Sequence, residues 1–274
     1  FRLLQLKNIQ WELGASVGHY KNKITSLPNG NFVANVYGAE ILMAEGQPAG
    51  MFYGYKTKGV FATQSDAEQA GLVLVDNNHT IQNFTAGDIH FEDTDNNHII
   101  NSDDKQIIGN PNPDMYGSVY SKLSIQKFTL SAVFSYSIGN DVYNYYRSIL
   151  EAGNSFNNQT KAMLNRWTAD GQITNQPKAT YADPMGNARF SDRWIEDGSY
   201  LRLKSLKLDY SIDFESKYIK GLTVWCAANN LFTITKYLGL DPEFSAGNSV
   251  YYQGIDAGLL PQTRSYHIGV KIGL

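Results

Sequence analysis

The densest chemistry in this chain lies in one run, Asp93-Thr94-Asp95-Asn96-Asn97-His98-Ile99-Ile100-Asn101-Ser102-Asp103-Asp104. It places side-chain oxygens at positions 1, 3, 5, 9 and 12, with the Ile99 carbonyl at position 7. Oxygens two residues apart in that order wrap one hard cation, so the run reads as a calcium loop with ligands Asp93, Asp95, Asn97, Ile99, Asn101 and Asp104. Two positions depart from the pattern. Position 12 is usually a Glu that reaches the ion with both oxygens, and Asp104 is shorter. Position 6 is usually Gly, at the sharpest part of the turn, and here it is His98. An Asx-rich loop held by its own side-chain-to-backbone hydrogen bonds would carry the same residues, and that alternative stays open.

Little else is arranged for chemistry. His79, His90, His98 and His267 lack metal-ligand spacing. Glu92-Asp93, Asp103-Asp104 and Glu196-Asp197 are paired only along the chain, which fixes no separation for glycosidase work. No Gly-x-Ser-x-Gly elbow or phosphate-cradling loop occurs, so the sequence does not read as an enzyme. Tyr143, Tyr145, Tyr146, Phe156, Trp167, Tyr251 and Tyr252 fall in long connections. There they are candidates to stack on a sugar or hold a peptide side chain. Packing of loop against loop is the favoured reading. Cys226 is the single cysteine, with the pattern of a small buried apolar residue.

The elements around these residues read as strands. In 205–214, Leu206, Leu208, Tyr210, Ile212 and Phe214 alternate with Ser205, Lys207, Asp209, Ser211 and Asp213. Successive strand side chains point to opposite faces, so this strand has one apolar and one polar face. The same period marks 9–18, 128–138 and 265–274, and 222–231 reads as the return strand of 205–214. Residues 1–6, 32–44, 51–61 and 119–125 complete about nine strands. Short helical stretches are expected near 65–71, 143–152 and 160–167. Trp11, Trp225, Tyr210 and Tyr266 read as lipid-facing or interfacial residues.

Connection length alternates. Short turns fall at 7–8, 46–48, 126–127 and 213–220, and long loops at about 21–31, 62–115, 140–198 and 238–261. Long loops at one end of an up-and-down meander, with strands of about 10 residues, are the layout of a membrane barrel. The sequence therefore points to an all-β fold, a transmembrane antiparallel up-and-down β-barrel with long extracellular loops. The apolar row of 206–214 should face lipid, Lys207 and Asp209 the lumen, the 213–220 turn the periplasm, and 237–243 the outer rim. A soluble carbohydrate-binding β domain and a surface-exposed adhesion protein are the rival readings. Composition fits a folded chain, with 42% hydrophobic and 18% charged residues. A net charge of −3 and the absence of a basic run give no sign of a nucleic-acid binder. Phe1 is not Met and opens directly in strand sequence, so the chain reads as the C-terminal piece of a longer protein.

Three stretches add a resemblance: 87–113 (GDIHFEDTDNNHIINSDDKQIIGNPNP), 192–210 (DRWIEDGSYLRLKSLKLDY) and 230–243 (NLFTITKYLGLDPE). With Gly54-Tyr55-Lys56 and Gly59, they resemble the C-terminal barrel part of the SusC/RagA-like TonB-dependent outer-membrane transporters of Bacteroidetes, in family order and over nearly the whole chain. The resemblance implies a barrel of roughly 22 strands, an N-terminal plug with a TonB box that has no counterpart in this stretch, and a SusD-like lipoprotein lid. It further implies energy from TonB, a dimer of transporter–lid pairs, and a glycan or peptide as cargo. The family usually ends in an aromatic residue, and this chain ends in Leu274.

Overall fold

In the computed structural model, residues 2–75, 79–213 and 218–273 are described. The expectations for Phe214, Leu274 and residues 214–217 of the 213–220 turn lie outside these residues. One sheet organises the rest. Its strands are β1 (Arg2–Leu6), β2 (Ile9–Gly18), β3 (Met115–Ile125), β4 (Phe128–Ile138), β5 (Tyr200–Ile212), β6 (Gly221–Asn229) and β7 (Ser265–Gly273), each antiparallel to the next in chain order. A short eighth strand, Thr233–Thr235, pairs with the upper end of β5. The strands alternate because branched and aromatic residues fill one pleated face while Ser, Thr, Lys and Asp fill the other.

Register carries that alternation across the whole sheet. Leu130, Leu208, Cys226 and Ile268 stand opposite one another on β4 to β7, as do Phe128, Tyr210, Val224 and Val270. This apolar row is exposed, with Tyr266 at 71% and Ile268 at 85%. So wide an open apolar face marks an interaction with something apolar, and strands of 9 to 13 residues are long enough to cross a bilayer at a tilt. Lys207 and Asp209 stand on the opposite, polar face, which is the lumen side. No helix among the described residues is long and apolar enough to cross a membrane, which says nothing of strands.

The short connections gather at one end. The Gln126 N–H donates to the Asn8 carbonyl, and the Ser211 N–H to the Lys127 carbonyl. The connections 19–114, 139–199 and 230–264 leave from the other end. That end is extracellular in a barrel of this layout.

Several expectations are corrected. Residues 32–44 form no single wall strand but a hairpin, Phe32–Val36 and Ala39–Met43, closed by Tyr37-Gly38. Both turn residues have positive φ, 52° and 78°, the mirror-image turn that matches strand twist. Residues 51–61 divide into Met51–Gly54 and Thr57–Val60, which pair in different small sheets. Among the described residues the wall therefore has eight strands, counting the short one, rather than about nine, and 32–61 belongs to the loop assembly. Trp225 faces the lumen, because it pairs with Asp209. The stretch Val224–Ala228 is apolar on both faces, so its pattern could not orient it. Cys226 is exposed on the apolar outer face rather than buried in protein. The expected helix near 143–152 is present as α2 (Tyr145–Leu150), shorter than expected because Asp141–Asn144 is a strand that runs into it. The one near 160–167 is a short 3-10 turn, Lys161–Asn165.

Candidate functional site in the extracellular loop assembly

The three long connections fold together above the wall around two apolar cores. One holds Tyr55, Phe61, Leu72, Phe84, Ile89, Phe91 and Ile100. The other holds Ile41, Phe52, Tyr143, Phe190, Trp194 and Ile255. Each core draws residues from more than one connection, so the loops are a packed cap rather than independent arms. Between 62 and 115 the chain forms α1 (Gln64–Ala70), and its sequence dictates both ends. Thr63 and Asp66 form a reciprocal capping box, and Gly71 closes the helix at φ 63°.

The acidic loop follows. Carboxylate oxygens of Asp93, Asp95 and Asp104 all lie within 4.8 Å of one another. The loop is shaped by its own side chains. Asp93 accepts from the backbone N–H of His98 at 2.8 Å and of Asn97 at 3.2 Å. Asn97 accepts from Ile99 N–H, and Asn101 from Asp103 N–H. Asp104 is buried and accepts from Thr94 N–H at 2.8 Å and Asn101 N–H at 2.9 Å. His98 takes the sharp turn at φ 63°, the conformation that a Gly would adopt without strain. Its ring is tied to the Ala70 carbonyl at 3.2 Å. Partial burial works to raise the Asp93 pKa, but the backbone donors of His98 and Asn97 outweigh it and hold the carboxyl below its ordinary range. A hard oxygen-donor set converging on one point fits a calcium ion. The same carboxylates also hold the loop by hydrogen bonds.

The aromatic candidates lie in the second core and around it. Tyr143 is buried against Phe190, with ring centroids 5.0 Å apart, and burial pushes its hydroxyl up to about 12. Tyr145 and Tyr252 both meet Tyr37, at 5.2 and 6.5 Å. Tyr251 packs against the same core. Trp167 is half-buried and donates its indole N–H to the Ala62 carbonyl at 3.0 Å. Tyr146 and Phe156 are open, at 53% and 94% exposed. The seven residues therefore form no single pocket.

The polar skeleton of the cap was not legible in the sequence. Arg147 bridges Glu196 at 2.8 Å and Glu151 at 3.0 Å, and Glu196 accepts from the Leu238 N–H. Burial, and then the neighbouring Arg147 charge, bring Arg193 down to about 10. Tyr237 donates to Asp256 at 2.7 Å in a buried pair, and burial followed by that carboxylate raises the Tyr237 hydroxyl. Lys178 reaches buried Asp88 at 3.0 Å, and Asn187 donates to the same carboxylate. The segment 237–243 meets the extracellular end of β5 through Arg202 and Asp241.

Comparison with known proteins agrees with this architecture. No family model matches the chain. It is 28% identical over 281 residues to TonB-dependent receptor P3 of Formosa agariphila, covering 97% of this chain and 27% of that protein. It is 26% identical over 273 residues to TonB-dependent receptor SusC of Bacteroides thetaiotaomicron, covering 97% and 24%. The chain thus spans about a quarter of the length of these relatives. In three dimensions it is similar to the RagAB peptide importer in its closed-closed state, with a TM-score of 0.73, 22% identity, and coverage of 99% of this chain and 28% of that one. The apolar outer face, the polar lumen face and the segregated loops set aside a soluble carbohydrate-binding domain. The chain is a β-barrel wall segment similar over nearly its whole length to TonB-dependent receptors of the SusC kind and, in fold, to the RagAB importer.

Proposed function

We propose that the protein containing this segment imports a large nutrient, an oligosaccharide or peptide, across the outer membrane without covalent chemistry. The observation that carries the reading is the joint polarity of the wall. Lipid-facing Leu208 and Ile268 lie on one side, lumen-facing Lys207 and Asp209 on the other, and a packed cap sits at the loop end only. A wall of that kind encloses a watery path, and a cap of that kind recognises what enters it. In this reading the segment is C-terminal, a plug closes the barrel, TonB opens it at the expense of the inner-membrane gradient, and a SusD-like lipoprotein covers the cap. The transporter–lid pairs form a dimer. The name of the RagAB relative supports the peptide class, and that of the SusC relative the family. Deletion of the TonB gene tests the reading: uptake of the cargo should stop while the protein stays in the outer membrane. Uptake that continues would overturn TonB-driven import; cargo binding with no uptake even in the parent strain would favour a surface adhesion protein.

We also propose that Asp93, Asp95, Asn97, Ile99, Asn101 and Asp104 hold one calcium ion that stiffens the cap. The ion would neutralise three carboxylates that otherwise repel one another at under 5 Å. Its role is structural, since none of its ligands lies on the lumen face of the wall.

A further inference from the structure

We propose that a groove on the outer face of the wall, at its extracellular rim, binds one phosphoethanolamine-headed lipid of the outer leaflet. The groove takes an acyl chain, and Lys236 and Asp197 take the zwitterionic head. The setting rests on the orientation of the wall derived above, and neither cargo nor TonB enters it.

The outer row of β5 fixes the height of the groove. From Ile212 through Tyr210, Leu208, Leu206 and Leu203 to Leu201, every outward side chain is aliphatic or aromatic. The row is roughly 35 Å long, which at a tilt near 45° gives about 25 Å of height, the apolar band of an outer-membrane barrel. Beyond Leu201 the groove's lining turns polar, with Ser199 and Asp197. The short strand changes at the same height. Ile234 stands opposite Leu201, and Lys236 follows two residues later. The edge of the hydrocarbon therefore passes between Leu201 with Ile234 and Ser199 with Lys236.

A groove of about 620 Å³ crosses that edge. Met115 and Val119 of β3 and Ile138 of β4 join Leu201 and Ile234 along its apolar part, and Tyr136 lies among them. Tyr136 stands opposite Gly117 of β3, and its hydroxyl donates to the Ser16 carbonyl of β2 at 3.3 Å. A Cβ at Gly117 would come within 2.8 Å of that hydroxyl. The ring thus lies down along the wall instead of standing out from it, and the trough above it is left for a flexible chain.

The rest of the barrel attaches elsewhere. The wall continues from its edge strands, β1 and β7, whereas the groove lies over β3, β4, β5 and the short strand paired with β5. A plug fills the lumen, on the opposite face. The groove is therefore turned to the membrane in the full-length protein as well.

The mouth carries one charge of each sign. Asp197 accepts from the Ser199 N–H at 2.9 Å. Its hydrogen bonds with Ser199, helped by the Lys236 charge, hold the carboxyl below its ordinary range, so it stays anionic. A head that joins a phosphate to an ammonium matches both groups, phosphate on Lys236 and ammonium on Asp197. A purely anionic head satisfies Lys236 but is repelled by Asp197.

Native mass spectrometry of the full-length transporter tests the proposal. The protein is released from detergent with equimolar dioleoyl phosphatidylethanolamine, phosphatidylglycerol and phosphatidylcholine. Phosphatidylethanolamine should be retained in preference to the other two, one molecule per transporter. Lys236→Gln should lower its retention about fivefold or more. Asp197→Asn should turn the preference toward phosphatidylglycerol, because only the cation remains. Leu201→Trp fills the groove and should abolish retention. Leu222→Trp, on the same outer face at the periplasmic end, should leave it unchanged. Unboiled electrophoretic mobility first shows that each variant is a closed barrel. Equal retention of the three lipids, or unchanged retention in folded Lys236→Gln and Leu201→Trp, overturns the proposal. A Leu201→Trp protein that keeps its lipid but loses its dimer seats a second copy in the groove, and overturns it too. Lost retention in an uptake-competent parent protein strikes the groove alone, while lost uptake with the lipid retained strikes the import reading.

Discussion

Arg202 and Asp241 form an ion pair that is all but completely buried, 3% and 2% exposed, where the wall meets the cap. Arg202 also donates to Thr233 Oγ1 at 2.9 Å and faces Glu243 at 2.8 Å, and Glu243 bonds Lys204. Asp241 in turn accepts from the N–H groups of Glu243 and Gln262. One carboxylate thereby ties β5 to two points of the 230–264 connection.

Removing Asp241 leaves Arg202 ion-paired with Glu243 alone and frees the N–H groups of Glu243 and Gln262. Asp241→Asn should cost about 1.5–3 kcal/mol in the thermal stability of the cap. The expected readout is earlier proteolysis within the 230–264 connection, with the barrel still resistant. Replacement of both partners by apolar residues of similar size should recover most of the loss.

The same pair sets a pH dependence. Burial works to raise the Asp241 pKa, but the Arg202 hydrogen bond and two backbone donors outweigh it, so the folded value lies below the ordinary 3.8. A carboxyl depressed in the folded state contributes stability that is full above its unfolded pKa and is lost as pH falls through the folded one. Cap melting followed between pH 6 and pH 2 should show this loss below about pH 4, and Asp241→Asn should flatten that part of the curve. A curve that is identical in the variant would show that other carboxyls govern acid unfolding.

The acidic loop gives two linked expectations. Calcium should raise the protection of 93–104 from hydrogen exchange, and Asp93→Asn with Asp104→Asn should abolish the effect. Loop protection that ignores calcium and chelator alike would leave the hydrogen-bonded turn as the whole account. His98→Gly should relieve a left-handed backbone worth about 1–2 kcal/mol. The variant also loses the ring contact to Ala70, so the net gain in loop stability should be smaller, near 1 kcal/mol or less.

Residues that repeat were legible in the sequence, and residues that act once were not. The lipid-facing row from Leu206 to Ile212 follows from period two alone. The N-terminal side of that strand did not, because Lys204 is an extra residue. Val133 pairs with Ser205 and Phe134 with Leu203, so Lys204 has no partner of its own. This bulge switches the parity and keeps Leu201 and Leu203 on the same outer face as Leu206 and Leu208. The sequence shows the switch as apolar residues at odd positions and then at even ones, a mark that reads only as an imperfect pattern until the register is known. The cap lacks even that mark. Its networks join Arg147 to Glu196 and Lys178 to Asp88 over 49 and 90 residues, and no local period encodes such pairs.

Deleting Lys204 tests the bulge directly. Without it, Leu203 opposite Phe134 and Ser205 opposite Val133 become neighbours, and the ladder runs on with every side chain on its present face. The shortened chain should therefore still assemble, seen as an unchanged heat-modifiable band on gels, whereas an added residue without a bulge would turn Arg202 and Tyr200 to lipid. Lys204→Ala keeps the extra residue and loses only the Glu243 ion pair. It should assemble normally, since a half-exposed pair of this kind contributes about 1 kcal/mol or less.

The two faces of the wall should respond in opposite ways to one added charge. Leu208 and Ser131 lie on β5 and β4, at similar depth, but Leu208 pairs with Cys226 on the outer face while Ser131 pairs with Lys207 on the inner one. Lysine at Leu208 must either sit in hydrocarbon or bend its stem toward the headgroups, at about 2–4 kcal/mol if the site is near the midplane. Lysine at Ser131 meets water and the Asp209 carboxylate. Unfolding of the full-length protein from lipid vesicles by guanidinium should therefore shift strongly for Leu208→Lys and little for Ser131→Lys. The reverse order would place the lumen on the apolar side and overturn the orientation of the whole sheet.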